Sequence, residues 1–268
     1  MIQNLFDVNN VLVIGCGGAG LRAAIEAKLN GSQVSILGKR SKNDAHTFLA
    51  AGGINAAFGN VDSKDSWQQH FIDTYLEGYE IADPNQIEIM TKESMFYVNE
   101  IDKWGANLKK LQNKKFDQRY FGAHKYRRTC YSGDYTGQSI MNALLKKSKE
   151  LKIPIYDNQY VFDLLVEENI CFGAMSFNIN TGERTAHLAD AVVLCTGGHT
   201  RIWKNSSSRK DENTGDGYHL GLKAGCELSD MEMVQFHPTG MVLPKELSGT
   251  LVTEAVRGEG GILLNSLG

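Results

Sequence analysis

Three glycines, Gly15, Gly17 and Gly20, stand between an apolar run at residues 11–14 and a stretch at 21–30 rich in Ala, Leu, Arg and Glu. Gly15 suits a tight turn, Gly17 lets a pyrophosphate approach the backbone, and Gly20 lets helix and strand pack closely; Gly18 lies in the same loop. The N–H groups and positive dipole end of the following helix then face the phosphates. This chemistry is dinucleotide binding. The acidic residue that usually holds the ribose hydroxyls should fall near Gly38, but the sequence there is Leu37-Gly38-Lys39-Arg40. Taken generically, Lys39 favours an NADP-like phosphate, and the missing acid also leaves room for a flavin dinucleotide held by other contacts. Other residues allow plainer readings when taken alone. His46 reads as an exposed loop histidine, and Asp216, inside Thr214-Gly215-Asp216-Gly217, as a helix N-cap. Glu254 and Arg257, three apart, read as a surface ion pair. Arg127 and Arg128 read as a solvated basic patch, and Cys130 as a small core residue.

The elements that must position these groups follow from periodicity. Residues 11–14 read as a strand covered on both faces, 21–30 as a helix stopped at Gly31, and 33–37 as the next strand, a β-α-β unit. Residues 44–60 are Gly- and Ala-rich and read as a backbone-exposing segment. Asp83-Pro84 is an N-cap with proline at the first helical position, after which Ile87, Met90, Val98 and Ile101 keep helical spacing. Residues 136–151 read as a further helix. Short strands are expected at 160–166 and 171–178, with a hairpin turn at Asn180-Thr181-Gly182. A buried-type strand at 190–195 ends on Thr196-Gly197-Gly198. Residues 204–213, polar and rich in Ser and Lys, read as a surface loop.

Composition sets the frame. The 268 residues are 42% apolar and 22% charged, an ordinary globular balance with enough chain for a sizeable core. A net charge of −3 gives no basic face for nucleic acid. The 28 glycines and 4 prolines suit close backbone approach to a ligand rather than linkers. Five scattered cysteines without a CxxC pair argue against a disulfide framework and a structural zinc site. With no signal pattern at the start and no apolar run near the ~20 residues of a membrane span, a reducing, soluble setting is expected.

Further motifs carry a family resemblance. Ala45-His46-Thr47 followed by Ala51-Gly52-Gly53-Ile54-Asn55-Ala56-Ala57 resembles the flavin-contacting segment of the succinate dehydrogenase and fumarate reductase flavoproteins. Thr196-Gly197-Gly198 is similar to that family's return to the FAD domain. Asn213-Thr214-Gly215-Asp216-Gly217, the run from Asp230 to Gly240 around His237-Pro238-Thr239, and the run from Thr253 to Gly261 around Arg257-Gly258-Glu259 match nearly letter for letter. The resemblance covers about residues 11–268, and this branch also commonly lacks the ribose-binding acid.

The resemblance implies FAD bonded covalently through His46 to the flavin 8α carbon, a link that withdraws electrons and raises the flavin's potential. Cofactor contacts are implied for Gly15, Gly17, Gly18, Gly20, Lys39, Thr47, Gly52, Gly53, Thr196, Gly197, Gly198 and Asp216, with Thr136 and Gly137 as weaker candidates. His237, Thr253, Glu254 and Arg257 form the implied substrate side, His and Thr meeting a dicarboxylate and the Glu254–Arg257 pair relaying a proton. The chemistry would be hydride transfer between flavin and succinate or fumarate. Electrons would pass to an iron–sulfur subunit, and through it a membrane anchor would hold the protein peripherally on the cytoplasmic side. L-Aspartate oxidases share most of the motifs but lack the histidine; they and a non-catalytic FAD-binding remnant are the alternatives. The stretch between Gly240 and Thr253 is a few residues longer than the family pattern.

The expected architecture is α/β, a Rossmann-like FAD-binding fold built on a parallel β-α-β sheet. The FAD-binding domain is expected over 1–236 with a helical insertion at about 61–130, and a capping domain begins at 237–268. Family members are roughly twice this length, with the proton-donating arginine beyond Arg257-Gly258-Glu259-Gly260-Gly261. The chain is therefore expected to be a fragment, or a natural chain completed by another polypeptide, that binds FAD without turning over substrate alone.

Overall fold

The computed structural model describes residues 5–122, 124–237, 239–253, 255–258 and 260–268. In chain order its strands are β1 (Leu5–Ile14), β2 (Val34–Leu37), β3 (Ile54–Asn55), β4 (Thr129–Cys130), β5 (Ile155–Tyr156), β6 (Gln159–Glu167), β7 (Ile170–Asn178) and β8 (Arg184–Leu194). The helices are α1 (Gly18–Leu29), α2 (Trp67–Glu77), α3 (Pro84–Ile101), α4 (Thr136–Glu150), α5 (Asp216–Lys223) and the four-residue α6 (Ala255–Gly258). The chain forms two compact units. The first comprises Met1–Thr47, Leu144–Pro238 and Val242–Thr250; the second comprises Phe48–Ala143, Thr239–Met241 and Leu251–Gly268. No helix among the described residues is long and apolar enough to cross a membrane.

The first unit is organised by a six-stranded sheet in the order β5-β2-β1-β8-β7-β6. β5, β2, β1 and β8 run parallel, whereas β7 and β6 are antiparallel additions. The sheet is therefore mixed rather than purely parallel, because two short hairpin loops join β6, β7 and β8. Glu168 and Asn169 both take positive φ (50° and 63°), the mirror-type turn whose twist matches a two-residue hairpin. Asn178 accepts from the backbone N–H of Asn180 and Thr181, closing the second turn. β1 is longer than its apolar run suggests, since the backbone ladder with β8 begins at Leu5↔Thr185. β2 is buried along its length, and α1 packs with Leu21, Ala24 and Ile25 fully buried. Leu12, Ile14, Leu37, Val161, Ala174, Ala189 and Leu220 make one core cluster.

The second unit is mainly helical. Asp83 caps α3 by accepting from Asn85 N–H at 2.9 Å, with Pro84 at the first position. Ile87, Val98 and Ile101 are buried as their spacing predicts, but Met90 is 49% exposed and lies off that stripe. Val98, Ile101, Leu108, Phe116, Cys130 and Ala143 belong to this unit's core cluster. Cys130 is fully buried, which pushes its thiol up to about 12 and leaves it an inert packing residue.

Arg128 is a correction to the solvated-patch reading. Its side chain is 0% exposed and donates to Asp65 (2.9 Å) and Asp73 (2.6 Å), tying the segment that leads into β4 to α2. Arg127 alone keeps the surface pattern, paired with Asp62. His70, also buried, is held down to about 4, first by burial and then by the Arg128 and His124 charges, against the pull of Asp73. An unfolded histidine takes its proton near pH 6.5, while folded His70 refuses it until about 4. The second unit should therefore lose stability as pH falls through that window, by up to roughly 3 kcal/mol. Urea titrations at pH 7 and pH 4 check this, and His70→Asn should flatten the difference.

Candidate active site

The carboxyl ends of β1, β2 and β8 meet where the strand order turns back on itself, the place at which open α/β sheets bind ligands. A cleft of about 340 Å³ opens there within the first unit, lined by residues that include Gly15, Gly17, Gly18, Lys39, His46, Thr47, Thr196, Gly197 and Asp216. Nine of the residues expected from the sequence are thus brought together.

Gly15 has φ +116°, and a Cβ on it would lie 2.0 Å from the Cys195 carbonyl oxygen. A Cβ on Gly20 would lie 1.8 Å from the Gly15 carbonyl oxygen. These glycines let β1, β8 and the first turn of α1 converge. Gly17 caps α1 without a side-chain bond, no acidic residue occupies the first turn, and Thr47 Oγ1 accepts from Gly18 N–H at 3.1 Å. The arrangement presents a helix N-terminus to the cleft, suited to an anion.

The loop after β8 is knitted to the one before α5. Asn213 Oδ1 accepts from Gly198 N–H (3.2 Å), and Gly215 N–H donates to Gly198 O (3.2 Å). Asp216 is not the N-cap expected from its pattern. Gly215 takes that position with φ 82°, and Asp216 becomes the first helical residue. Its carboxylate instead accepts from Lys39 Nζ at 2.6 Å, and Lys39 also donates to Thr214 Oγ1 at 2.8 Å. At Gly38, where an acid is usual, a Cβ would sit 2.6 Å from Cys16 Sγ and 3.0 Å from the Arg40 carbonyl oxygen, so a side chain there requires the Cys16 thiol to move.

His46 stands on a single 3-10 turn, His46–Leu49, with its side chain 46% exposed. Its Nδ1 lies 2.7 Å from Glu212 Oε1. Glu212 also accepts from Arg209 through Nε (3.0 Å), Nη2 (2.7 Å) and the backbone N–H (2.9 Å). Burial works against the Glu212 charge, but these bonds from Arg209 and His46 outweigh it and bring the carboxyl down to about 2. Arg209 reaches further, to the carboxylate and carbonyl of Asp44, and Asp44 also pairs with Arg40. Sequence reasoning missed this set, reading 204–213 as a surface loop, although Glu212 is only 6% exposed. The one available signal is Arg209-x-x-Glu212, an acid and a base one helical turn apart.

Other expected residues lie in the second unit. A Cβ on Gly52 would strike the Phe121 ring at 2.2 Å, and one on Gly53 the Thr129 methyl at 2.4 Å, so both glycines have packing reasons of their own. Thr136 is buried and accepts from Ser132 N–H, and Gly137 N–H donates to Ala50 O at 2.7 Å. Arg257 Nη1 donates to Thr239 Oγ1 at 2.9 Å, and Thr239 O accepts from Val252 N–H, beside the half-buried Thr253. His237, in the first unit, is exposed, and Glu254 lies outside the described residues.

The FAD binding domain family model matches residues 10–268. A fumarate reductase (CoM/CoB) subunit of Methanothermobacter marburgensis is 44% identical over 269 residues, covering 100% of this chain and 49% of that protein. The succinate dehydrogenase flavoprotein subunit of Rickettsia bellii is 36% identical over 276 residues, covering 100% and 45%. The solved structure of Mycobacterium smegmatis Sdh1 in complex with UQ1 superposes with a TM-score of 0.89 at 40% identity, covering 98% of this chain and 46% of that one. The chain thus spans about half the length of the curated relatives it matches. A strand-order switch point, a glycine-lined helix N-terminus and a family match along nearly the whole sequence agree: the chain belongs to the FAD binding domain family, with named relatives among the flavoprotein subunits of succinate dehydrogenase and fumarate reductase.

Proposed function

We propose that the cleft of the first unit holds FAD, bonded covalently to His46, and that in the full-length protein this flavin exchanges a hydride with a succinate or fumarate molecule. The observation that carries the reading is the gathering of Gly15 to Ala19, Lys39, His46, Thr196-Gly197 and Asp216 around one cleft. FAD supplies a two-electron carrier, and the protein's share is binding, orientation and charge. The α1 N-terminus and the Gly15 and Gly17 backbone would hold the pyrophosphate. Lys39, fixed by Asp216 and Thr214, would meet the dinucleotide's polar groups where an acid is usual.

On the substrate side, His237 and Thr253 would hold the carboxylates, and Glu254 with Arg257 would carry the proton exchanged at the carbon neighbouring the hydride. The relatives' names support the dicarboxylate and a multi-subunit setting. Electrons would leave to an iron–sulfur subunit, with a membrane anchor beyond it and the protein peripheral on the cytoplasmic side. His46, paired with Glu212, favours this reading over an L-aspartate oxidase.

Acid precipitation tests the cofactor assignment. The washed pellet should stay yellow and fluorescent, and His46→Ala should shed its flavin into the supernatant while the native protein still binds it. A colourless wild-type pellet would remove the covalent link. With the full-length protein, succinate should bleach the flavin band; no bleaching by any C4 dicarboxylate, together with no fumarate-dependent reoxidation, would remove the substrate assignment.

A further inference from the structure

We infer that Glu212 is the positioning residue of His46: it holds the proton on Nδ1 and so reserves Nε2 as the nitrogen that meets the flavin. This rests on the FAD reading above and adds to it a residue that reaches the cofactor only through another.

Hydrogen-bond capacity decides the tautomer. Both Glu212 oxygens are engaged, Oε1 by His46 Nδ1 and Arg209 N–H, Oε2 by Arg209 Nε and Nη2. A carboxylate kept ionised by so many donors can only accept. The proton in the 2.7 Å contact therefore belongs to His46 Nδ1, and a neutral ring then has its lone pair on Nε2. The clamp is also mechanical. Arg209 ties Glu212 to Asp44, two residues before His46, so one guanidinium fixes both the backbone that carries the imidazole and the carboxylate that orients it. A solvated loop pair would show neither a 6% exposed carboxylate nor a shared anchor.

Charge gives the arrangement its value. Joining Nε2 to the 8α carbon replaces one C–H bond of the methyl group with an N–C bond. The proton goes to solvent and the electron pair into the ring system, from which dioxygen or an unsaturated dicarboxylate removes it. An imidazole carrying hydrogen on Nδ1 becomes cationic as its Nε2 lone pair is used. Glu212 sits 2.7 Å from where that charge appears, already desolvated and ionised, and so stabilises the bond-forming state more than the starting one.

The test uses the full chain with FAD added, comparing wild type with Glu212→Gln. Total bound flavin is read from the native protein and attached flavin from the acid pellet over time. Removing a charge-assisted bond of this kind should slow attachment about 10- to 100-fold with total FAD unchanged. Equal attachment rates at equal total FAD would overturn the inference. Attachment absent from wild type itself would instead count against the covalent reading. Nitrogen-15 spectra of histidine-labelled wild type at a pH near 9, where an ordinary imidazole is neutral, give an answer that needs no variant. Read before FAD is added, protonated Nδ1 and bare Nε2 at His46 are expected, and the opposite tautomer would overturn the assignment even if Glu212→Gln fails to fold.

Discussion

Gly20→Ala should leave the first unit folded but unable to retain FAD. The added methyl carbon would lie 1.8 Å from the Gly15 carbonyl oxygen and 3.4 Å from Cys195 Cβ, so α1 must move away from the ends of β1 and β8. Overpacking against side chains typically costs ~1–3 kcal/mol; here the obstacle is backbone, which cannot rotate aside. The helix N-terminus is what faces the anion, so the shift falls on the ligand. A loss of at least ~100-fold in FAD affinity is expected, equivalent to about 2.7 kcal/mol. The flavin-to-protein absorbance ratio after gel filtration reads it, with circular dichroism reporting the sheet. Gly221→Ala is the control, because its Cβ would meet only Cys226 Cβ at 3.8 Å. A Gly20→Ala protein that keeps its full flavin complement would show that the loop is not built for close approach.

Arg128→Met should destabilise the second unit by about 3–5 kcal/mol, the usual cost of removing one partner from a buried ion pair. Asp65, itself fully buried, and Asp73 would be left without the cation that offsets their desolvation. Burial already pushes the Asp65 carboxyl upward against the pull of Arg128. Replacing all three, with Asp65→Leu and Asp73→Leu added, should recover most of the loss, since the penalty lies in the stranded charges and not in the absent bonds. Urea unfolding of the single and triple variants decides between the two causes. A loss under about 1 kcal/mol for Arg128→Met would mean that the network is solvated after all.

Gly20 and Arg128 differ in how readable they are from sequence. The Gly15–Gly20 spacing, the apolar run before it and the helix after it are local, so one short window contains the strand, the turn and the ligand-facing helix end. The hairpin at Asn180-Thr181-Gly182 is legible for the same reason. Arg128 is not. It sits beside Arg127, an identical residue with an opposite fate, and only tertiary contacts with residues 55 and 63 positions away separate the two. Glu212 meets His46 across 166 positions, and a polar run rich in Ser and Lys looks the same whether its acid is solvated or buried against a histidine. Asp216 carried the right residue for a cap in a place where Gly215, free to adopt positive φ, takes the cap itself. Gly38 was legible as a departure, but its close approach to the Cys16 sulfur needed the fold.

If the first unit's cleft is an FAD site, His46 should be its point of attachment. Tandem mass spectrometry of a tryptic digest addresses this directly, because cleavage after Lys42 and Lys64 places His46 as the single histidine of its peptide. The expected result is the mass of FAD on that peptide, with fragment ions locating it to His46. Flavin found on a different residue, or bound FAD with an unmodified 43–64 peptide throughout, would contradict it.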